Sequence, residues 1–125
     1  MALSGYPDHI EKAELGRLLL MKNYLILDFS ITDVAAFMEY VENIPEFLAK
    51  HNGRYLVEGT TPNVVEGTWQ PEKIVLLEFD SEHDANNFLL DADVKELFKI
   101  RHKTTNSNLI QVSGGSWRDE LPRGE

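Results

Sequence analysis

The chain has 125 residues, 42% of them hydrophobic, which suits one domain with its own core and leaves little for a second. Its 21 acidic and 12 basic residues give a formal net charge of −9, so we expect neither nucleic acid nor an anionic membrane as a partner. There are no cysteines, which excludes disulfides, zinc–thiolate sites and thiol catalysis and suits a reducing, cytoplasmic location.

Residues 1–21 are predicted to form an N-terminal extension with a short helix that docks on the domain through Ile10, Leu15 or Leu18. The apolar run at 18–21 is far shorter than the roughly 20 residues of a membrane span. Acidic residues precede this run, where a signal peptide would carry positive charge.

Four segments have the apolar, β-branched and aromatic content of strands. They are residues 24–31, a segment beginning at 54–57, residues 73–79 and residues 108–112. A long hairpin with glycine and proline at its turns joins the second and third strands. Residues 22–114 form the predicted domain, and the polar residues 115–125 are expected to be a loose tail.

Two helical segments separate these strands. Thr32 or Asp33 caps the first, and Pro45 is expected to kink it. Gly53 is suited to the left-handed conformation that ends such a helix. Ser81 opens the second helix, which residues 91–93 are predicted to break.

The order β-α-β-β-α-β predicts an α+β, ferredoxin-like antiparallel sheet with two helices on one face. The first and third strands are expected to be parallel neighbours at its centre. Both strands are apolar on both faces, but two helices cover only one face. We therefore expect a homodimer of the dimeric α/β-barrel kind, in which a second copy covers the other face. The alternative is that the N-terminal extension covers it.

The sequence resembles the domain of unknown function 1330 family, within the dimeric α/β-barrel superfamily, over residues 22–114. This resemblance implies a ferredoxin-like fold whose sheets pack face to face in a dimer, and it implies no defined reaction. It rests on these residues: Tyr24-Leu25-Ile26, Thr32-Asp33, Asn52-Gly53-Arg54-Tyr55-Leu56-Val57, Val65-Glu66-Gly67, Trp69 with Pro71, Leu77 with Phe79 and Ser81, and Ile100-Arg101.

The chain departs from the family pattern at two places within the domain. Residues 58–60 read Glu-Gly-Thr where relatives carry Arg-Gly-Gly, which reverses a charge. The second helix has Phe88-Leu89 and residues 91–94 where relatives carry an aromatic pair and a Ser-Pro-Glu-Tyr break, so two phenol groups are missing. Any pocket these groups shape in relatives is expected to be more apolar or differently lined here.

Three residues are candidates for acid–base catalysis. Asp28 and Glu78 lie near the ends of the two central strands, and two carboxylates held close together form an acid–base pair. The competing interpretation places them at a solvated rim or in ion pairs with Arg54 or Arg101. His51 is a candidate for proton transfer, or it caps carbonyl groups at the end of a helix.

Four further residues are candidates for ligand binding. Arg54 and Arg101 are suited to a ligand carboxylate, although Arg54 also suits a pair with a nearby glutamate and Arg101 suits the negative end of a helix dipole. Tyr55 lies beside Arg54, and Trp69 is expected either to wall a pocket or to pack across the dimer. The scattered histidines indicate no metal site, and no motif indicates a cofactor.

Two classes of function remain open from the sequence. The first is a dimeric binding module that holds a small apolar or carboxylate-bearing molecule between sheet and helices. The second is a cofactor-free enzyme, of the monooxygenase or isomerase kind, that uses a carboxylate or histidine as acid and base; this alternative rests on analogy of fold alone.

Overall fold

The protein is described by a computed structural model over residues 11–12, 15–16 and 21–120. Strands and helices follow the predicted order, with the second predicted helix divided into two. The elements are β1 (Asn23–Ile31), α1 (Val34–Lys50), β2 (Gly53–Thr60), β3 (Lys73–Phe79), α2 (Glu82–Leu90), α3 (Ala92–Thr104), β4 (Thr105–Ser113) and a 3-10 helix (Trp117–Glu120).

The sheet has the strand order β2-β3-β1-β4, and all its neighbouring strands are antiparallel. The ferredoxin-like α+β fold predicted from the sequence is confirmed. The expectation that β1 and β3 are parallel is wrong. Because β3 returns from β2 as a hairpin, it runs opposite to β2; the helical crossover makes β1 run with β2, so β3 is antiparallel to both.

β1 shows how the sequence alternation assigns the two faces of the sheet. Leu25, Leu27 and Phe29 are each no more than 5% exposed and pack under the helices. Tyr24 and Ile26, which point the other way, are half-buried. Successive side chains of a strand point to opposite faces. One face of the sheet therefore carries the core, and we call the other the open face.

Asp33 caps the start of α1, and its side chain accepts a hydrogen bond from the Ala36 amide. Pro45 lies inside one continuous helix. Past the C-cap, Asn52 has the left-handed backbone, with φ of 58°, whereas the sequence assigned that conformation to Gly53. Gly53 serves close packing instead, because a Cβ atom there would lie 2.5 Å from the Phe79 ring.

α2 and α3 meet at Asp91, which ends the first and caps the second. The predicted break at residues 91–93 is therefore present. Ser81 caps α2 by accepting a hydrogen bond from the Asp84 amide, as expected. β4 begins at Thr105, earlier than predicted, because its polar first residues are held by pairing with β1.

One main core cluster joins the helices to the sheet, and a smaller one follows at the end of β1. The main cluster includes Ile44 and Leu48 of α1, Phe88 of α2 and Val94 of α3. The smaller cluster contains Leu27, Phe29 and Phe37. The helices are thus packed on one face of the sheet, as predicted.

Little of the predicted N-terminal extension falls within the described residues. The Leu15 amide donates to the Glu11 carbonyl at 2.9 Å, which is a helical hydrogen bond. Leu15 is half-buried. The predicted docking contacts of Ile10 and Leu18 lie outside the described residues.

Candidate functional site

A cavity of about 240 Å³ lies between the sheet and the helices, next to the core. Its walls come from the core face of the sheet and the facing sides of α1 and α3. Most of the lining is hydrocarbon, so the cavity suits an apolar molecule. The apolar lining includes Leu27, Phe29, Ile31, Phe37, Val41, Val75, Leu109 and the ring of Phe98.

Arg101 is the buried cation of this cavity, with 3% of its surface exposed. Its Nη1 donates to Ser107 Oγ at 2.7 Å, and its Nη2 lies 3.5 Å from His102 Nε2. The guanidinium carbon is 4.6 Å from the centre of the Phe98 ring and 6.0 Å from that of Tyr40. Burial lowers the pKa of Arg101, and the neighbouring Tyr40 partly offsets this lowering.

Two tyrosines place phenol groups at the cavity. Tyr40 comes from α1 and Tyr55 from β2. Burial raises the pKa of both, because the low-dielectric interior disfavours a phenolate. The positive charge of Arg101 acts in the opposite direction on Tyr40 but is the smaller effect. Both side chains therefore stay neutral in the cavity wall.

Two charged residues stand at the cavity on the side of β2 and β3. Glu58 is exposed, and Lys73 is half-buried with its Nζ donating to Thr61 Oγ1 at 3.1 Å. Gly59, which follows Glu58 and also lines the cavity, has φ of 73° at an irregularity in the β2–β3 pairing. The charge reversal noted in the sequence therefore places a carboxylate at the rim of the cavity.

Arg54 lies on the open face rather than at the cavity. Its Nη1 donates to Glu78 Oε1 at 2.8 Å, and its Nη2 donates to Asp80. Tyr24 donates its hydroxyl to the other oxygen of Glu78 at 3.1 Å, and this bond is the main reason why the pKa of Tyr24 is raised. Arg54 in turn lowers the pKa of the Asp80 carboxyl. Lys22 Nζ also lies 3.2 Å from Asp80 Oδ1, so two cations face the two carboxylates of this cluster.

Asp28 and Glu78 share the open face but do not form a carboxylate pair. Glu78 pairs with Tyr24, and Asp28 pairs with Ile74. The two carboxylates are therefore four residues apart along the strands, about 13 Å. Their expected proximity depended on parallel strands, and it is wrong because the strands are antiparallel. Asp28 instead accepts a hydrogen bond from the Trp69 indole at 3.0 Å.

His51 lies at the end of α1 and contacts Asp91. Its Nε2 is 2.8 Å from Asp91 Oδ2, and Lys50 Nζ is 2.9 Å from the same oxygen. These contacts tie α1 to the junction of α2 and α3. His51 does not line the cavity.

The candidate residues are therefore divided between two faces and a helix junction. Tyr55 and Arg101 meet at the cavity, whereas Arg54, Trp69, Asp28 and Glu78 lie on the open side. Tyr40 and Phe98 also line the cavity, although neither is among the candidates predicted from the sequence. The sequence does contain a signal for Phe98, because it precedes Arg101 by three residues and therefore shares its helix face.

Within the described ranges 11–12, 15–16 and 21–120, no group of three or more metal-ligating side chains is assembled. In the same part of the chain, no helix has the length and apolar content needed to cross a membrane.

The sheet order and the helix-covered cavity define the chain as a ferredoxin-like α+β protein. It belongs to the family Domain of unknown function (DUF1330), whose model matches residues 22–115. No curated protein sequence matches the chain.

Solved structures of similar fold come from several organisms. The RPA0582 protein of unknown function from Rhodopseudomonas palustris is 12% identical with a TM-score of 0.65, over 86% of this chain and 95% of that one. SnoaB, a cofactor-independent oxygenase from Streptomyces nogalater, is 10% identical with a TM-score of 0.56, over 77% and 95%. A conserved protein from Methanosarcina mazei Go1 is 18% identical with a TM-score of 0.52, over 76% and 96%. At these identities the likeness concerns the fold.

Proposed function

We propose that this protein binds a small apolar or carboxylate-bearing molecule in the cavity between sheet and helices. The observation that carries the proposal is the cavity itself, about 240 Å³ of apolar-lined space adjoining a well-packed core. Cores normally leave few voids larger than a water molecule, and concave apolar space of this size is typical of a site for a small molecule. An engineered cavity of roughly 150 Å³ accommodates benzene, so this one has room for a substituted ring.

The proposed working unit is a homodimer closed through the open face. Leu56, Ile110 and Val112 are between 41% and 56% exposed on this face. Ile74 and Leu76 lie beside them and are half-buried. With Ile26 of β1 these residues form an apolar patch across all four strands, which is typical of an interaction surface. A second copy offers a matching patch.

The enzyme alternative with a carboxylate or histidine as acid and base is not favoured. It requires such a group to face the bound molecule. Asp28 and Glu78 are on the open face, and His51 is at the helix junction, so none of the three lines the cavity. The carboxylate that does line it, Glu58, is exposed to solvent at the rim. A binding role requires only a cavity of suitable shape and lining, and this cavity has both.

A thermal-shift screen of small aromatic and aliphatic molecules tests the proposal. Leu109→Trp fills the cavity from β4 and is expected to abolish the stabilisation given by any molecule that binds there. Leu90→Trp, on an exposed part of α2, is the matched control and should keep it. A set of binders that stabilise Leu109→Trp as well as the parent protein would contradict the proposal, provided that circular dichroism shows both variants folded.

A further inference from the structure

Arg101 carries a buried charge that the described part of the protein leaves without a carboxylate. Its polar neighbours there are all uncharged or weakly basic: Ser107 Oγ, His102 Nε2 and the Tyr40 side chain. Its Nε atom is fully buried and makes no hydrogen bond in that part of the chain, and none of the ion pairs formed there includes Arg101. A buried charge is costly unless it is paired.

Arg54 is the natural comparison, because it is the other arginine suited to binding a carboxylate. Its guanidinium is engaged by Glu78 and Asp80 of the same chain. It is also the more exposed of the two, with 41% of its side chain accessible. Arg54 therefore has its anions already, whereas Arg101 faces an apolar cavity with donors to spare.

We propose that Arg101 binds the carboxylate of a small aromatic acid held in the cavity, an inference that rests on the ligand-binding function proposed above. A guanidinium presents its donors in a planar fork that matches a carboxylate. Ser107 holds one nitrogen of Arg101, and the Phe98 ring packs over the guanidinium, so the fork is oriented before a ligand arrives. The apolar walls then cover the hydrocarbon part of the acid.

The charges around the cavity favour an acid with a single negative group. Glu58 stands at the rim, and the whole chain has a net charge of −9. A second carboxylate on the ligand would be repelled by these charges and would have no buried cation to bind. Among the described residues that line the cavity, the only other cation is Lys73, which is half-buried and contacts Thr61. The site is therefore specific for aromatic monocarboxylates over dicarboxylates.

Matched pairs of acid and amide test the inference with the full-length protein. Benzoate, phenylacetate and 2-naphthoate are titrated beside their primary amides, and protein-detected NMR gives each Kd. The acids should bind about tenfold or more tightly than their amides, as expected for a charge-assisted hydrogen bond. The Nε–H signal of Arg101 should shift with the acids and stay in place with the amides.

Variants then assign the preference to Arg101. Arg101→Met should remove the preference for acids over amides. Arg101→Lys keeps the positive charge but not the planar guanidinium, so it should keep only part of this preference. Lys99→Met removes an exposed cation from the same helix and should leave the preference unchanged. If Arg101→Met does not fold, Arg101→Lys and the Nε–H signal of the parent protein carry the test.

The outcomes separate this inference from the function on which it rests. Equal binding of acids and amides, or a preference that survives in Arg101→Met, would overturn the role of Arg101 and leave a binding cavity in place. Failure of both classes to bind in the cavity would overturn the inference together with the proposed function for aromatic ligands.

Discussion

Asp91 is the residue at which three helices are joined. It accepts hydrogen bonds or ion pairs from His51, Lys50 and the Asp93 amide, each at 2.8 to 2.9 Å. His51 is the first cause of the lowered pKa of Asp91, and Lys50 is the second. The folded state therefore favours the ionised form of Asp91, which contacts the end of α1.

Acid should weaken this junction. Because the folded pKa of Asp91 lies below its ordinary value of 3.8, the stabilisation is complete above pH 3.8 and is lost as the pH falls below it toward the folded pKa. We expect Asp91→Asn to be less stable at neutral pH and to lose less stability on acidification than the parent protein. Urea unfolding at a series of pH values measures both effects.

Asp33→Asn is the matched control for this prediction. Asp33 also caps a helix, but its described contact is a hydrogen bond from the Ala36 amide rather than an ion pair. The variant keeps the contacts of Asp91 with His51 and Lys50, so it should still lose their stabilisation on acidification. An Asp91→Asn protein with an unchanged pH dependence would show that the junction does not depend on the charge.

Two arginines show what the sequence predicts at the residue scale and what it does not. Both Arg54 and Arg101 were candidates for a ligand carboxylate, since residue type alone indicates a capacity to bind anions. Their environments differ because Arg54 shares the open face with Glu78, across the β2–β3 pair, whereas Arg101 of α3 lies against Tyr40 of α1 and Phe98 of its own helix. That difference depends on tertiary contacts, which no local pattern encodes.

The first residue of β2, Gly53, has no room for a side chain. A Cβ atom on Gly53 would lie 2.5 Å and 2.8 Å from two carbons of the Phe79 ring. Phe79 is fully buried in the main core, so its ring has little room to move. The close approach of β2 to β3 therefore requires glycine.

Gly53→Ala should destabilise the protein by about 1–3 kcal/mol, the usual cost of overpacking a core. Asn52→Gly is the neighbouring control, and it should be close to neutral because glycine readily adopts the left-handed backbone found at Asn52. Urea unfolding compares the two. A Gly53→Ala protein as stable as the parent would show that the ring yields to the added methyl group.

Among the elements, those with strong local signals were predicted well. β3 and the Ser81 cap of α2 occur at the predicted residues. β4 was predicted too short, because its first residues are polar and are held only by pairing with β1. The direction of β3 was misassigned, since strand polarity depends on how the hairpin and the crossover combine rather than on any residue.

The sheet gives the whole molecule two apolar surfaces, one under the helices and one open. A charged residue introduced on one surface should have a different effect from the same residue on the other. Leu77, on the core face, is 8% exposed, so Leu77→Asp should unfold the protein at a cost on the order of several kcal/mol. Leu76, its neighbour on the open face, is half-buried, so Leu76→Asp should give a folded monomer.

Sedimentation velocity and circular dichroism check this prediction. The parent protein should have twice the 14.3 kDa mass of the chain. Leu90→Asp, which adds the same charge on exposed α2, should remain dimeric. A parent protein that stays monomeric at micromolar concentration would remove the reason to assign the open face to a second copy.

The central claim is that the cavity between sheet and helices is the functional site. A crystal structure of the protein with the best binder from the thermal-shift screen tests it most directly. The account predicts the molecule between α1, α3 and the core face of the sheet, with its polar group toward Arg101. A molecule bound on the open face, with the cavity filled by side chains, would contradict the account.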